Sequence, residues 1–286
     1  MFYLQEFLKI KGIKMKLNFV MSKLVVTMLA VLTVTGCATV AVTGSADVEK
    51  AAFTKNKKYA VVSIASMKTF QGEKGMVNMF KSMEDIPGTN TQPIVDNFSP
   101  KALSVLGSSK YFTLVPEKAL LASKAYKNLI EDPKVMKVMF MSFDMNESNK
   151  YKYISDEKKY AQLAKELGVD GVIGLTLNFT VTASKGSFSI NGIGFGKKSY
   201  SAMSSISIVA YDANGKVVWK DSTLKEAEPG DSKAIIVFDT SDITGTSFEK
   251  FHPSALEMAG KGMETLYARF DDTMNGKSAS MFQSVK

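Results

Sequence analysis

The amino-acid sequence predicts an α/β (α+β) domain, a mixed sheet with an antiparallel hairpin flanked by helices. Three observations carry this. Residues 59–65 form a short apolar, partly β-branched run, the pattern of a strand covered on both faces. Leu175, Leu177, Phe179 and Val181 alternate with Thr176, Asn178, Thr180 and Thr182, and 200–211 is strand-like again, which together make a long hairpin. Apolar residues recur at helical spacing over 158–167 and 254–274. Hydrophobic residues make up 45% and charged residues 22%, the proportions of an ordinary globular chain rather than a disordered one.

In chain order, 59–65 is a central strand, and 71–91, with scattered glycines and methionines, is an irregular insertion. Ser99 as cap and Pro100 in the first turn predict a helix over 98–107. Residues 111–115 alternate and stop at Pro116, a second strand, and a helix follows over 117–129. The stretch 132–153 contains Val135, Met136, Val138, Met139, Phe140, Met141 and Phe143, but neither the helical nor the strand period dominates, and it receives no assignment. Ser155 caps the helix over 158–167, which Gly168 ends, and a strand begins at once with 169–173. The hairpin is joined by the glycine- and serine-rich 184–199, and the turn 212–215 leads into a strand over 216–220. A polar turn at 226–230, an apolar run at 234–238, a loop at 240–246 and the helix 254–274 complete the order.

The amino-terminal end has a different character. From Met21, Lys23 supplies positive charge, 24–34 is apolar apart from Thr27 and Thr33, and Val34-Thr35-Gly36-Cys37 follows. Those four residues resemble the lipobox of bacterial lipoproteins, which implies diacylation of the Cys37 thiol and removal of 1–36 as a signal peptide. The apolar run is too short for a spanning helix, which needs about 20 apolar residues. Residues 38–40 offer no A-x-A site for ordinary signal peptidase. Cys37 is also the only cysteine, so no intrachain disulfide is available to it. The expected organisation is therefore a signal peptide over 1–36, a lipidated tether over 37–58, a single α/β domain over 59–274 and a polar tail over 275–286. Ala38 stands where an inner-membrane retention signal would place Asp. Resemblance to Gram-negative lipoproteins then implies outer-membrane sorting, facing the periplasm.

The formal charge of +8 includes +4 from the leader, leaving +4 on the part beginning at Cys37. Arg269 is the only arginine, whereas nucleic-acid readers depend on the bidentate arginine fork, so nucleic-acid binding is excluded. No cofactor is expected. His252, the only histidine, lies beside Pro253 at the start of the last helix and reads as a surface residue, which leaves no nucleophile–base pair for a hydrolase. With one histidine and no cysteine in the fold, a zinc site would have to be carboxylate-rich, which zinc seldom uses alone, and no transition metal is expected. Gly192, Gly194 and Gly196 sit between serine-rich strands rather than between a strand and a helix, so they form a hairpin tip and not a phosphate loop. Asp144, Glu147, Asp239 and Asp242 lack the spacing of a calcium loop and are expected to be solvated.

The element order, with Ala-Lys-Glu-Leu-Gly-Val-Asp-Gly-Val-Ile at 164–173 and a strand, turn and strand over 209–219, resembles a lipoprotein group. That group comprises the curli-secretion lipoprotein, the penicillin-binding-protein activator lipoprotein and the amino-terminal domain of TolB. Residues 59–65 and 110–117 also carry the likeness. The resemblance covers about two thirds of the part after Cys37, departs from the group at 67–93 and 132–153, and concerns the fold rather than the function. It implies a non-enzymatic envelope module that is held at the membrane by lipid and binds a protein, an envelope polymer or itself. The alternative it raises is an oligomeric secretion pore built from the 171–211 hairpin, which would require a lipid-compatible face on both strands. Ser201, Ser204, Ser205 and Ser207 dilute that face on the return strand, so the pore ranks second and a lipid-anchored hydrolase third.

Overall fold

Strand pairing is set by residues that must leave water. The computed structural model describes residues 40–42, 46–72, 86–138, 141–183, 198–226, 235–238, 247–277 and 282–283. Its first half runs through β1 (Val40–Val42), β2 (Asp47–Val48), β3 (Lys58–Met67), β4 (Gln71–Gly72), α1 (Gln92–Gly107), β5 (Thr113–Leu114), α2 (Glu117–Ala122) and α3 (Lys124–Asn128). The second half contains β6 (Val135–Val138), β7 (Met141–Glu147), α4 (Glu157–Leu167), β8 (Gly171–Ala183), β9 (Lys198–Asp212), β10 (Val217–Glu226), β11 (Ile235–Phe238), α5 (His252–Met274) and β12 (Phe282–Gln283). One mixed sheet results, in the order β12-β1-β10-β9-β8-β3-β7-β6.

Every residue of β3 after Lys58 is buried, as a strand covered on both faces requires. It lies parallel to β8 on one side, while its other side takes β5 at the start and β7 at the end. The predicted hairpin is continuous from Gly171 opposite Asp212 to Ala183 opposite Tyr200. On β8 the odd-numbered Leu175, Leu177, Phe179 and Val181 are buried, and on β9 so are Ala202, Ile206, Ile208 and Ala210. This face receives α5, whose Gly262 brings the helix so close that a Cβ there would lie 3.0 Å from Ile206 Cδ1 and 3.1 Å from Thr223 Oγ1. Trp219 and Phe270 pack with ring centroids 4.4 Å apart in the same layer. The chain's only arginine fixes α5 to β10: Arg269 Nε donates to Asp221 Oδ2 at 2.8 Å and Nη2 to Oδ1 at 3.1 Å. Both side chains are excluded from water, 0% and 1% exposed, so each charge depends on its partner.

The opposite face is covered only in part. Tyr160, Leu163 and Ala164 are the buried residues of α4, and Tyr160 approaches the bare backbone of Gly174, where a Cβ would lie 2.4 Å from its hydroxyl. Gly168 adopts φ +63° and ends that helix, as the sequence requires. Its N-cap is Asp156, which accepts from the Lys158 N–H, rather than Ser155. Ser155 is held instead by Asp132, which accepts from the backbone N–H groups of Ser155 and Asp156.

Three further elements depart from expectation. The helix predicted over 98–107 begins at Gln92: Pro93 lies in its first turn, Ile94, Val95 and Phe98 are buried, and Pro100 stands inside it. The helix predicted over 117–129 breaks at Ser123, whose extended backbone (ψ 144°) and hydroxyl, accepting from Tyr126 N–H, start a separate short helix. The expected tether over 37–58 is in large part folded. β1 pairs with β10 and β12, β2 pairs with β10 at Trp219 and Lys220, and Phe53 is buried against Tyr59, with ring centroids 4.9 Å apart. The pieces are too short to show a period, because the segment adds backbone to an existing sheet edge and so needs little apolar pattern of its own. The tail over 275–286 likewise contributes β12.

Candidate functional site

The segment without a sequence assignment, 132–153, and Ile130 just before it hold the exposed large hydrophobic residues among the described residues, Ile130 and Met141. β6 and β7 are antiparallel, with Met136 opposite Phe143 and Val138 opposite Met141. Alternation along β7 puts Met141, Phe143 and Met145 on one side. Met145 pairs with Met67 on β3 and joins a small cluster with Ala65, Met67 and Tyr153, separate from the main core. Burial then falls away along the strand: Met145 is 3% exposed, Phe143 and Met136 are partly buried, and Met141 is 45% exposed. Ile130, five residues before β6, is 80% exposed. Methionine adapts its shape to a partner, which makes such a stripe a versatile contact surface.

The backbone of β6 adds a directional feature. It is the last strand of the sheet, and among the described residues no strand pairs with its outer side. Four residues of strand edge, without proline, present N–H and C=O groups that an incoming strand can pair with. The ledge stands on firm supports. Lys134 forms an ion pair with Glu147 across the hairpin, and Met145 N–H donates to the Lys134 carbonyl at 2.9 Å. The loop before β6 is tied by Asp132, which bonds Lys159 and the start of α4. Burial by itself would raise the Asp132 pKa, but the Lys159 ammonium and the two backbone N–H groups together outweigh it and hold the carboxyl down at about 2.

A second candidate lies on the partly open sheet face. Thr176, Ser207 and Ser222 line up across β8, β9 and β10 in a groove of 240 Å³ that also includes Lys220 and Asp47. It is a hydroxyl-bearing surface with one cation and one carboxylate at its border. Nearby on β8, the Asn178 side-chain oxygen is buried without a hydrogen-bond partner.

The residues singled out in the sequence separate into three groups. Cys37, Gly192, Gly194, Gly196, Asp239 and Asp242 lie outside the described residues. His252 is not a bare surface residue: its ring stacks on Phe70 at 5.9 Å, and its Nε2 lies 2.7 Å from the Gly88 carbonyl. It clasps the 86–91 segment to the start of α5. Asp144 is exposed, as expected, with Lys68 3.8 Å away, whereas Glu147 is mostly buried and pairs with Lys134. Among the described residues no group of three or more His, Cys, Asp and Glu side chains is placed to hold a metal ion.

The pore alternative meets a geometric obstacle. The four apolar residues of β8 that would face lipid all point into the core, and Phe179 packs on Phe70 at 5.8 Å. The outward face of the same hairpin carries Thr176, Ser205 and Ser207, which are polar. No described helix is long and apolar enough to cross a membrane.

No protein-family profile and no curated protein matches the sequence. Solved structures give faint likenesses. The C-terminal domain of LpoB from Salmonella enterica is 10% identical, with 60% of this chain and 83% of that chain covered and a TM-score of 0.30. The PelC dodecamer from Paraburkholderia phytofirmans is 9% identical in one crystal form, with 80% of this chain and 97% of that chain covered and a TM-score of 0.25. Likenesses of this size establish no family.

Proposed function

We propose that this protein is a non-enzymatic lipoprotein of the cell envelope, anchored through acyl chains on Cys37, that binds an extended segment of an envelope protein along β6. The observation that carries the binding reading is the open edge of β6 beside the graded stripe of Met136, Phe143 and Met141. A strand edge needs backbone N–H and C=O groups as its partners, which an extended polypeptide supplies and a glycan does not. Apolar side chains next to that edge give such a polypeptide a surface to pack on. The anchoring reading is supported by Lys23, the apolar 24–34 and the Val34-Thr35-Gly36-Cys37 sequence, with the outer membrane as its destination because Ala38 follows the cysteine. The hydroxyl-lined groove at Thr176, Ser207 and Ser222 favours a second reading, in which the ligand is an envelope polymer.

Three experiments divide these statements. Cys37→Ser releases the protein from the membrane fraction, and retention there refutes anchoring by acylation. Capture of a partner from envelope membranes is lost with Met141→Lys and kept with Ser207→Ala if β6 is the docking edge. The reverse pattern assigns binding to the groove. Sizing in detergent gives a ring-sized particle for the pore and a monomer for the binding module.

A further inference from the structure

The folded state of the segment after Cys37 bears on how the domain stands at a membrane. Only Ala38 and Thr39 separate Cys37 from β1, and Val40 pairs with Lys225 on β10. Three peptide units reach at most about 11 Å. A protein held on a disordered leash of about 20 residues, which the sequence predicts for 37–58, samples all orientations. Here the leash has been taken up. β1 runs antiparallel to β10, β2 continues the pairing toward Trp219, Glu49 N–H donates to the Val218 carbonyl at 2.9 Å, and Phe53 is buried in the core.

We infer that acylated Cys37 fixes one end of the sheet against the lipid surface, namely the end where β1 starts, β10 finishes and β9 begins. The register defines that end: Val40 is opposite Lys225, Glu226 is opposite Met203, and β9 runs five residues further, to Lys198. The far end is the turn from Asp212 to Lys216, closed by Gly215 at φ +86°. From Met203 to Asp212 the strand spans roughly 30 Å. The two ends therefore differ in height above the headgroups by most of the length of the sheet. The net charge of +4 on the part that follows the leader suits an anionic bilayer surface. β9 and β10 then lead away from the membrane toward the 212–216 turn.

This inference rests on acylation of Cys37, and its test separates the two. Because Cys37 is the only cysteine and its thiol is taken up by lipid, a single introduced cysteine can be labelled alone. The full acylated protein is placed in vesicles of phosphatidylethanolamine and phosphatidylglycerol that contain a lipid with a nitroxide headgroup. A fluorophore on Met203→Cys loses most of its emission, and one on Asn214→Cys keeps it. Insertion of about 20 Gly and Ser residues between Ala38 and Thr39 restores the emission at position 203 while the protein still sediments with vesicles. Equal quenching at the two positions, or stronger quenching at 214, overturns the fixed orientation. Protein left in the supernatant refutes the acylation itself, and the orientation falls with it.

Discussion

One border of the sheet is finished by pieces of two or three residues, β1 and β2 along β10 and β12 along β1, whereas the other ends in the four residues of β6. Very short strands are one of the devices by which proteins blunt an edge that would otherwise recruit foreign chains. The chain therefore blunts one border with very short pieces, from segments as plain in sequence as 40–42 and 47–48, and ends the other in a longer strand. The closed border also carries the buried Arg269–Asp221 pair and the aromatic layer of Trp219 and Phe270. The open border rests on a small methionine cluster and surface ion pairs, which contribute little to stability. Stability thus belongs to one side of the molecule and the proposed contact to the other.

The contrast between the borders is largest at Asp221. Asp221→Ala leaves Arg269 charged and buried, and is expected to cost about 3–5 kcal/mol. In a domain of this size that lowers Tm by roughly 10 °C, read by thermal unfolding. Changes at the open border behave in the opposite way. Met141→Lys and Ile130→Lys alter stability by about 0.5 kcal/mol or less, because both residues are exposed. They weaken partner binding by about tenfold or more, read by titration with the captured partner. A drop in Tm on Met141→Lys comparable to that of Asp221→Ala would erase the distinction.

A smaller effect marks where the open border meets the rest of the fold. The Asp132 carboxyl is held at about 2, below the roughly 3.9 of an unfolded chain. Its contribution is present in full above pH ~4 and is lost as pH falls through about 2. Acid unfolding followed between those values is steeper for the wild type than for Asp132→Asn. At the alkaline end, burial and then the neighbouring Glu157 push the Tyr211 hydroxyl up to about 12. Folding keeps that proton bound, so the contribution of Tyr211 is complete below pH ~10 and declines as pH rises toward 12. Tyr211→Phe flattens that decline.

How far the fold is legible in the sequence depends on how each residue meets water. β3, the β8–β9 hairpin, α4 and α5 are readable because each buries a regular apolar face, and periodicity records that directly. Pro100 misplaces the start of α1, since Pro93 offers the same first-turn signal seven residues earlier and the buried Ile94, Val95 and Phe98 decide between them. The segments 40–42 and 47–48 escape a sequence reading because edge pieces are held by backbone pairing, which side chains do not report. The β6–β7 ledge escapes it for a different reason. Apolar residues dominate from Val135 to Phe143, broken only by Lys137 and Ser142 and with no glycine or asparagine among them, so the period of two is submerged. A run of apolar residues that a fold does not cover is where local rules and the global structure disagree, as is expected at functional or strained sites. His252 gives no signal either, because its partners Phe70 and the Gly88 carbonyl are distant in sequence.

Whether an anchored domain takes its partner along β6 is decided in intact cells by a photo-crosslinking side chain placed at Met141 or at the exposed Asn275. Docking along β6 gives one discrete protein adduct from position 141 and none from position 275. Identical adducts from the two positions, or none from 141, would contradict it.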